Sequence, residues 1–155
     1  MRPIALLSAL SLVGCASTSK DVVPTQSDSE FFRGTTSQQL EKFAKYDIET
    51  QYHLLVVGNQ IVHPPAIYLV HEFAKRGSSV IPLLSHELAK AKEEATIRDI
   101  VAVLAEMRYL NAYDATADAG LIALVDARIA SMRGQWKPIA QRLRRELGDS
   151  SGVLR

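Results

Sequence analysis

Apolar residues recur at steps of three and four along most of the chain, which is the period of an α-helix. The clearest stripe contains Leu40, Phe43, Tyr52 and Leu55. The segment HLLVVGNQIV has a composition that would suit a β-hairpin, but it continues this helical stripe. No convincing run of alternating apolar and polar residues is present, so the pattern predicts an all-α protein.

Helix-capping and helix-breaking residues divide the pattern into about six helices. Thr36 or Ser37 is suited to cap the first helix and Gly58 to end it, while Gly77 is suited to end the second. The short connections predict that consecutive helices form three antiparallel pairs. The expected helices span about residues 36–57, 65–76, 80–91, 95–110, 117–133 and 138–148.

The middle pair carries the most specific pattern, in the segment RGSSVIPLLSHELAKAKEEATIRDIVAVLAEM. A glycine turn is followed by a helix with Pro82 near its start, a polar turn, and Ile97-Arg98 before a run of aliphatic residues. This order resembles a HEAT-type helical repeat, which implies a short solenoid of stacked helix pairs. The flanking pairs match only in helix order and length, so an irregular helical bundle is an equal alternative.

The first residues of the chain follow a different pattern. Arg2 precedes a nearly continuous apolar run from Ile4 to Val13, about half of the roughly 20 residues that a membrane-spanning helix needs. A short basic start and a short apolar run are typical of a secretory signal peptide. The run ends in Leu12-Val13-Gly14-Cys15, which resembles the lipobox of bacterial lipoproteins.

This resemblance implies that residues 1–14 are a signal peptide and that Cys15 is the site of lipid attachment, with a diacylglyceryl group on its thiol and an acyl group on its amine. Two or three acyl chains give stable anchoring, whereas one chain binds a membrane only marginally. Ala16 and Ser17 follow the cysteine in place of an aspartate. By the same resemblance, they favour attachment to the outer membrane, with the protein facing the periplasm.

Composition divides the remaining chain into two parts. Residues 15–30 are rich in Ser, Thr, Asp and Gln and are interpreted as a flexible tether. Residues 31–155 have the length of a single helical domain. The full chain has 18 basic and 17 acidic side chains, and residues 1–14 contain one basic and no acidic residue. The mature chain is therefore formally neutral, which argues against nucleic acid as a partner.

The sequence carries no recognisable catalytic or metal-binding motif. Ser85 and His86 are adjacent on a predicted helix and point in different directions. The four histidines do not form the H-E-x-x-H motif of zinc enzymes. The single cysteine is assigned to the lipid. We therefore expect no cofactor and no metal, and we favour a binding role over an enzymatic one.

Four residues are candidates for contact with a partner. Asn59 and His63 lie in GNQIVHPPA, where the double proline stiffens the connection between two helices. His71 lies on the following helix, and Trp136 is the only tryptophan of the chain. The resulting hypothesis is a membrane-anchored lipoprotein whose helical domain binds another envelope protein or peptide. An enzyme that acts on cell wall or envelope substrates and a purely structural lipoprotein are the alternatives.

Overall fold

The structure is a computed structural model that describes residues 21–148. It confirms the all-α fold class, because this part of the chain contains α-helices and two short 3₁₀ turns and no strand. It has eight α-helices rather than six. Their bounds are Gln26–Phe32 (α1), Thr36–Phe43 (α2), Ile48–Gln60 (α3), Tyr68–Ala74 (α4), Ile81–Lys90 (α5), Glu94–Tyr109 (α6), Ala119–Ser131 (α7) and Lys137–Gly148 (α8).

The helix expected over residues 36–57 is divided into α2 and α3. Asp47 causes the division, because its side chain accepts a 2.7 Å hydrogen bond from the backbone N–H of Thr50 and so caps a new helix. Gly58 does not end this helix, which continues to Gln60. A Cβ atom at Gly58 would lie 3.0 Å from that of Ala66 and 3.1 Å from the ring of Phe32. This glycine therefore permits close packing rather than helix termination.

The interpretation of residues 15–30 as a tether is wrong for residues 21–30. Thr25 and Asp28 form a capping box that starts α1, and the side chain of Asp28 is buried. The carboxylate of Asp21 accepts hydrogen bonds from the backbone N–H groups of Lys92 and Glu93, directly before α6. These contacts make residues 21–30 part of the folded domain. Residues 1–14, which are predicted to be a signal peptide, lie outside the described part of the chain, as do Cys15 and residues 16–20.

The later helices pack as pairs in two rows. The second members of the pairs, α4, α6 and α8, lie side by side, with α6 in contact with both of the others. The first members, α5 and α7, contact each other, and each contacts its own partner. This arrangement agrees with the expected packing of consecutive helices in pairs and is compatible with a short solenoid as well as with a bundle. Assignment to the HEAT type stays a prediction.

One apolar core joins the pairs. Its fully buried side chains include Phe73 on α4, Leu88 on α5, Ile100 and Leu104 on α6, and Leu147 on α8. Polar contacts fix the starts of α6 and α8 beside each other. The carboxylate of Glu94 on α6 accepts hydrogen bonds from the backbone N–H groups of Arg133 and Gly134, just before α8. No helix within residues 21–148 is long and apolar enough to cross a membrane.

Candidate functional site

The helix row α4–α6–α8 leaves an open groove of about 1180 Å³ on one side. Its floor is the solvent-facing side of α6, its two walls come from α4 and α8, and the connection between α3 and α4 closes one end. The row is held in place on its other side by the apolar core, so the groove is supported by packed helices. Its position follows from the contacts of α6 with both neighbouring helices.

All four residues selected from the sequence line this groove. Asn59 lies in the last turn of α3, and His63 lies in the connection that follows, before a cis peptide bond to Pro64. His71 lies on α4 and Trp136 lies directly before α8. Residues that are up to 77 positions apart in the sequence therefore share one concave surface. Their participation in binding stays a prediction.

A buried carboxylate organises the end of the groove near the start of α6. Asp99 is 2% exposed. It accepts hydrogen bonds from Gln60 at 2.9 Å and from Asn59 at 3.4 Å, and it forms an ion pair with Arg98 at 2.5 Å. Burial raises the pKa of Asp99 above its ordinary value, although Arg98 and the two amides oppose this shift. The network joins α3 to α6 and so fixes the end of the groove.

Arg98 connects this network to α8. Its guanidinium carbon lies 4.0 Å from the centre of the Trp136 ring, which is a cation–π geometry. The same guanidinium group binds the Asp99 carboxylate through two nitrogens. Trp136 is therefore positioned by its neighbours before any partner binds. The Oδ1 atom of Asn59, at the same end, is a buried acceptor without a hydrogen-bond partner among the described residues.

The other part of the groove is more apolar. Val70 of α4 and Ile139 and Leu143 of α8 line its walls. Ile67 and Tyr109 also line the groove, and they are 71% and 67% exposed. Such large apolar side chains in one concave surface are typical of a contact region. His71 and Glu106 form a 2.7 Å pair across α4 and α6 within this part of the groove.

A second, smaller pocket of about 500 Å³ lies near the start of the folded domain. Asp21, Tyr52 and His53 contribute to its lining. His53 lies 2.9 Å from Asp28, whose buried carboxylate also accepts the backbone N–H of Thr25. Burial raises the pKa of Asp28, but the hydrogen bonds from His53 and Thr25 outweigh this effect and lower it overall. These contacts hold α1 against α3.

Three of the four histidines line these two pockets. His63 and His71 line the groove, whereas His53 lines the smaller pocket. Across residues 21–148, no three His, Cys, Asp or Glu side chains are placed so that they could hold a metal ion together. The groove lining itself offers apolar side chains, hydrogen-bonding groups and charged groups.

Sequence reasoning missed Arg98 and Asp99 as site residues. A signal for Asp99 was present, because an aspartate lies between the apolar positions Ile97 and Ile100 in the middle pair. Charged residues at such positions are rarely fully buried unless they are paired. Its partners Asn59 and Gln60 are about 40 residues away in the sequence, so they could not be named without the fold.

Comparisons with protein family models, with curated proteins and with solved structures find no significant match to this chain.

Proposed function

We propose that this protein is a lipid-anchored envelope protein whose α4–α6–α8 groove binds a segment of another envelope protein. The observation that carries the proposal is the convergence of Asn59, His63, His71 and Trp136 on one groove of about 1180 Å³. This volume exceeds the roughly 300–1,000 Å³ typical of small-molecule pockets. The open form of the groove also favours a polypeptide segment over an enclosed small ligand.

The composition of the groove supports a protein partner. Interface residues that contribute most to affinity are enriched in Trp, Tyr and Arg, and the groove contains Trp136, Tyr109 and Arg98. Trp136 and Arg98 are already held against each other. A partner would therefore bind to a preorganised surface and lose less conformational entropy on association.

The lipid anchor is supported by the lipobox resemblance at Leu12–Cys15. Asp21 is already hydrogen-bonded to the backbone directly before α6. Six residue steps therefore separate an acylated Cys15 from the folded domain, and at full extension they span about 20 Å. The proposed anchor would keep the groove close to the membrane surface, where segments of other membrane-associated proteins are available.

In-cell photo-crosslinking tests the groove with a matched control. Ile67, inside the groove, is 71% exposed, and Val23, outside it, is 73% exposed. A photoreactive amino acid at position 67 should give a discrete adduct with another envelope protein, and the same amino acid at position 23 should not. Adding Ala102→Arg, in the floor of the groove, should abolish the adduct. No adduct at position 67, or equal adducts at both positions, would contradict groove binding.

The anchor is tested separately. Cys15→Ser should abolish incorporation of radiolabelled palmitate and release the protein from the membrane fraction. Unchanged labelling of the Cys15→Ser variant would rule out this cysteine as the lipid attachment site.

A further inference from the structure

We propose that the occupant of the groove is a net-cationic amphipathic helix of about 14 residues, supplied by another protein and lying along α6. This inference rests on the proposed function because it concerns the same groove. It specifies the shape and the charge of the partner.

The floor of the groove has the form that a packed helix requires. Ala95, Ala102 and Ala105 lie on the groove side of α6, and Tyr109 marks its far end. At 1.5 Å per residue, the distance from Ala95 to Tyr109 is about 21 Å, the length of a helix of roughly 14 residues. The alanine methyl groups allow a second helix axis to approach to about 8–10 Å.

Arg98 is a long side chain between Ala95 and Ala102 on this floor, but it does not block the groove. Its guanidinium group is bound to Asp99 and stacked on Trp136 at one end of the groove. The walls then offer apolar contacts from Val70 on one side and from Ile139 and Leu143 on the other. A helix with apolar residues at i, i+3, i+4 and i+7 would contact the floor and both walls.

Backbone hydrogen bonding favours a helix over an extended peptide. The floor and both walls are α-helices, whose backbone N–H and C=O groups are bonded to each other within each helix. An extended peptide would bury its own N–H and C=O groups here without a strand edge to pair with, and unpaired buried groups of this kind are costly. A helix carries its own hydrogen bonds into the groove.

The charged side chains that line the groove indicate the net charge of the partner. Among the described residues that line the groove are four carboxylates and two guanidinium groups, namely Glu93, Asp99, Glu106, Glu146, Arg98 and Arg108. Arg98 pairs with Asp99 and Arg108 with Asp114, each at 2.5 Å. Glu106 pairs with His71, and Glu146 pairs with Arg142. When Asp114 and Arg142 are added to the lining residues and His71 is not counted, the total is five carboxylates and three guanidinium groups. The excess of carboxylates favours a partner with Lys or Arg residues flanking its apolar face.

The same excess argues against two other occupants. A second copy of this chain that docked through the same face would bring carboxylates against carboxylates. An anionic lipid would place its head group in the same unfavourable field. We therefore commit to a cationic helix of a different protein.

Selection from a library of random 14-residue peptides, displayed against the purified full chain, tests this proposal. Enriched peptides should have more Lys and Arg than Asp and Glu, with apolar residues at helical spacing, and should gain helical circular dichroism on binding. Ala102→Arg should weaken their binding at least tenfold. The control Ala127→Arg adds the same side chain to an exposed alanine of α7 outside the groove and should leave binding unchanged.

Each alternative result of the selection points to a different conclusion about the occupant of the groove. Acidic or extended peptides that are lost in Ala102→Arg would overturn the cationic helix but leave groove binding intact. No enrichment, or peptides insensitive to Ala102→Arg, would overturn both. A dimer that Ala102→Arg dissociates, seen in analytical ultracentrifugation, would assign the groove to a second copy. Phospholipid that co-purifies with the chain and is lost in Ala102→Arg would assign it to lipid.

A second measurement tests the charge without changing the floor. Glu146 lies in an exposed i,i+4 pair with Arg142, and Glu41 lies in an exposed i,i+4 pair with Lys45 outside the groove lining. Glu146→Gln should weaken an enriched peptide about two- to fivefold and reduce the salt dependence of its binding, since rim charges contribute modestly. Glu41→Gln should have no effect. Equal binding of the peptide by the unmodified protein and by both variants would overturn the cationic charge assigned to the partner.

Discussion

Glu94, in the first turn of α6, accepts hydrogen bonds from the backbone N–H of Gly134 at 2.8 and 2.9 Å, across 40 residues of sequence. The same carboxylate accepts the N–H of Arg133. It therefore satisfies backbone donors in the connection between α7 and α8 and fixes α8 beside α6. Since these two helices form the floor and one wall of the groove, this contact positions the candidate site.

Glu94→Gln tests the contribution of this carboxylate to stability. A neutral amide accepts the same hydrogen bonds more weakly, so we expect a loss of about 1 kcal/mol in the free energy of unfolding. Urea denaturation followed by circular dichroism measures it. Glu41→Gln, which removes only an exposed i,i+4 pair, should leave the urea midpoint unchanged. Equal midpoints for the Glu94 variant and the unmodified protein would show that the contact is unimportant.

Gly77→Ala should be strongly destabilising. Gly77 has a φ of +59°, and a Cβ atom there would lie 2.8 Å from the backbone oxygen of Ala112. The backbone conformation alone costs alanine about 1 kcal/mol, and the clash adds to this. Gly120→Ala places a methyl group in the first turn of α7 without a close contact and should be neutral or stabilising. Urea denaturation compares the two, and equal stability losses would contradict the clash.

Asp28→Asn should release α1 from the domain while leaving α6 intact. Asp28 is 4% exposed and accepts hydrogen bonds from His53 and Thr25. Weakening hydrogen bonds to a buried carboxylate costs about 1–3 kcal/mol. Amide hydrogen exchange should show faster exchange over residues 25–32, with unchanged exchange in α6. Glu30→Gln, at an exposed position of α1, is the control, and slow exchange in both variants would contradict the role of Asp28.

The pH dependence of stability should carry opposite contributions from Asp99 and Asp28. Burial raises the pKa of Asp99, so the folded state binds its proton more tightly than the unfolded state does. The contribution of Asp99 to the free energy of unfolding therefore falls as pH rises from 3.8, its ordinary pKa, through its raised pKa in the folded state. Asp28 has a lowered pKa, and its contribution is instead lost as pH falls below 3.8.

Urea titrations at pH 3 to 7 test these signs. Asp99→Asn should lose less stability than the unmodified protein as pH rises above about 4, because it removes the group whose protonation favours the folded state. Asp28→Asn should instead be less sensitive to acid. Parallel curves for Asp99→Asn and the unmodified protein would contradict the assigned shift.

Local rules predicted several features well. The helical period gave the all-α class, and Gly77 was assigned to a helix end because glycine tolerates the left-handed conformation that the structure shows there. Two further local signals are present in the sequence. The capping box of Thr25 and Asp28 marks the start of α1, and Asp47 marks the start of α3. Both could have been identified from side-chain spacing alone.

Other features were beyond the reach of local rules. The sequence predicts Gly58 as a helix end, but the structure shows that Phe32 and Ala66 lie too close to this position for a larger residue to fit easily. Glu94 and Arg98 have the spacing of a helix surface pair, yet Glu94 binds the connection before α8 and Arg98 binds Asp99 and Trp136. In both cases the deciding contact comes from a residue distant in sequence.

The sequence by itself determined the helical character of this protein and most of its helix ends, because these depend on interactions among residues a few positions apart. It also marked Asn59, His63, His71 and Trp136 as candidates. Only the tertiary structure decided that these residues share one groove. Their convergence depends on the packing of α6 between α4 and α8, which is set by the apolar core and by contacts such as Glu94 to Gly134.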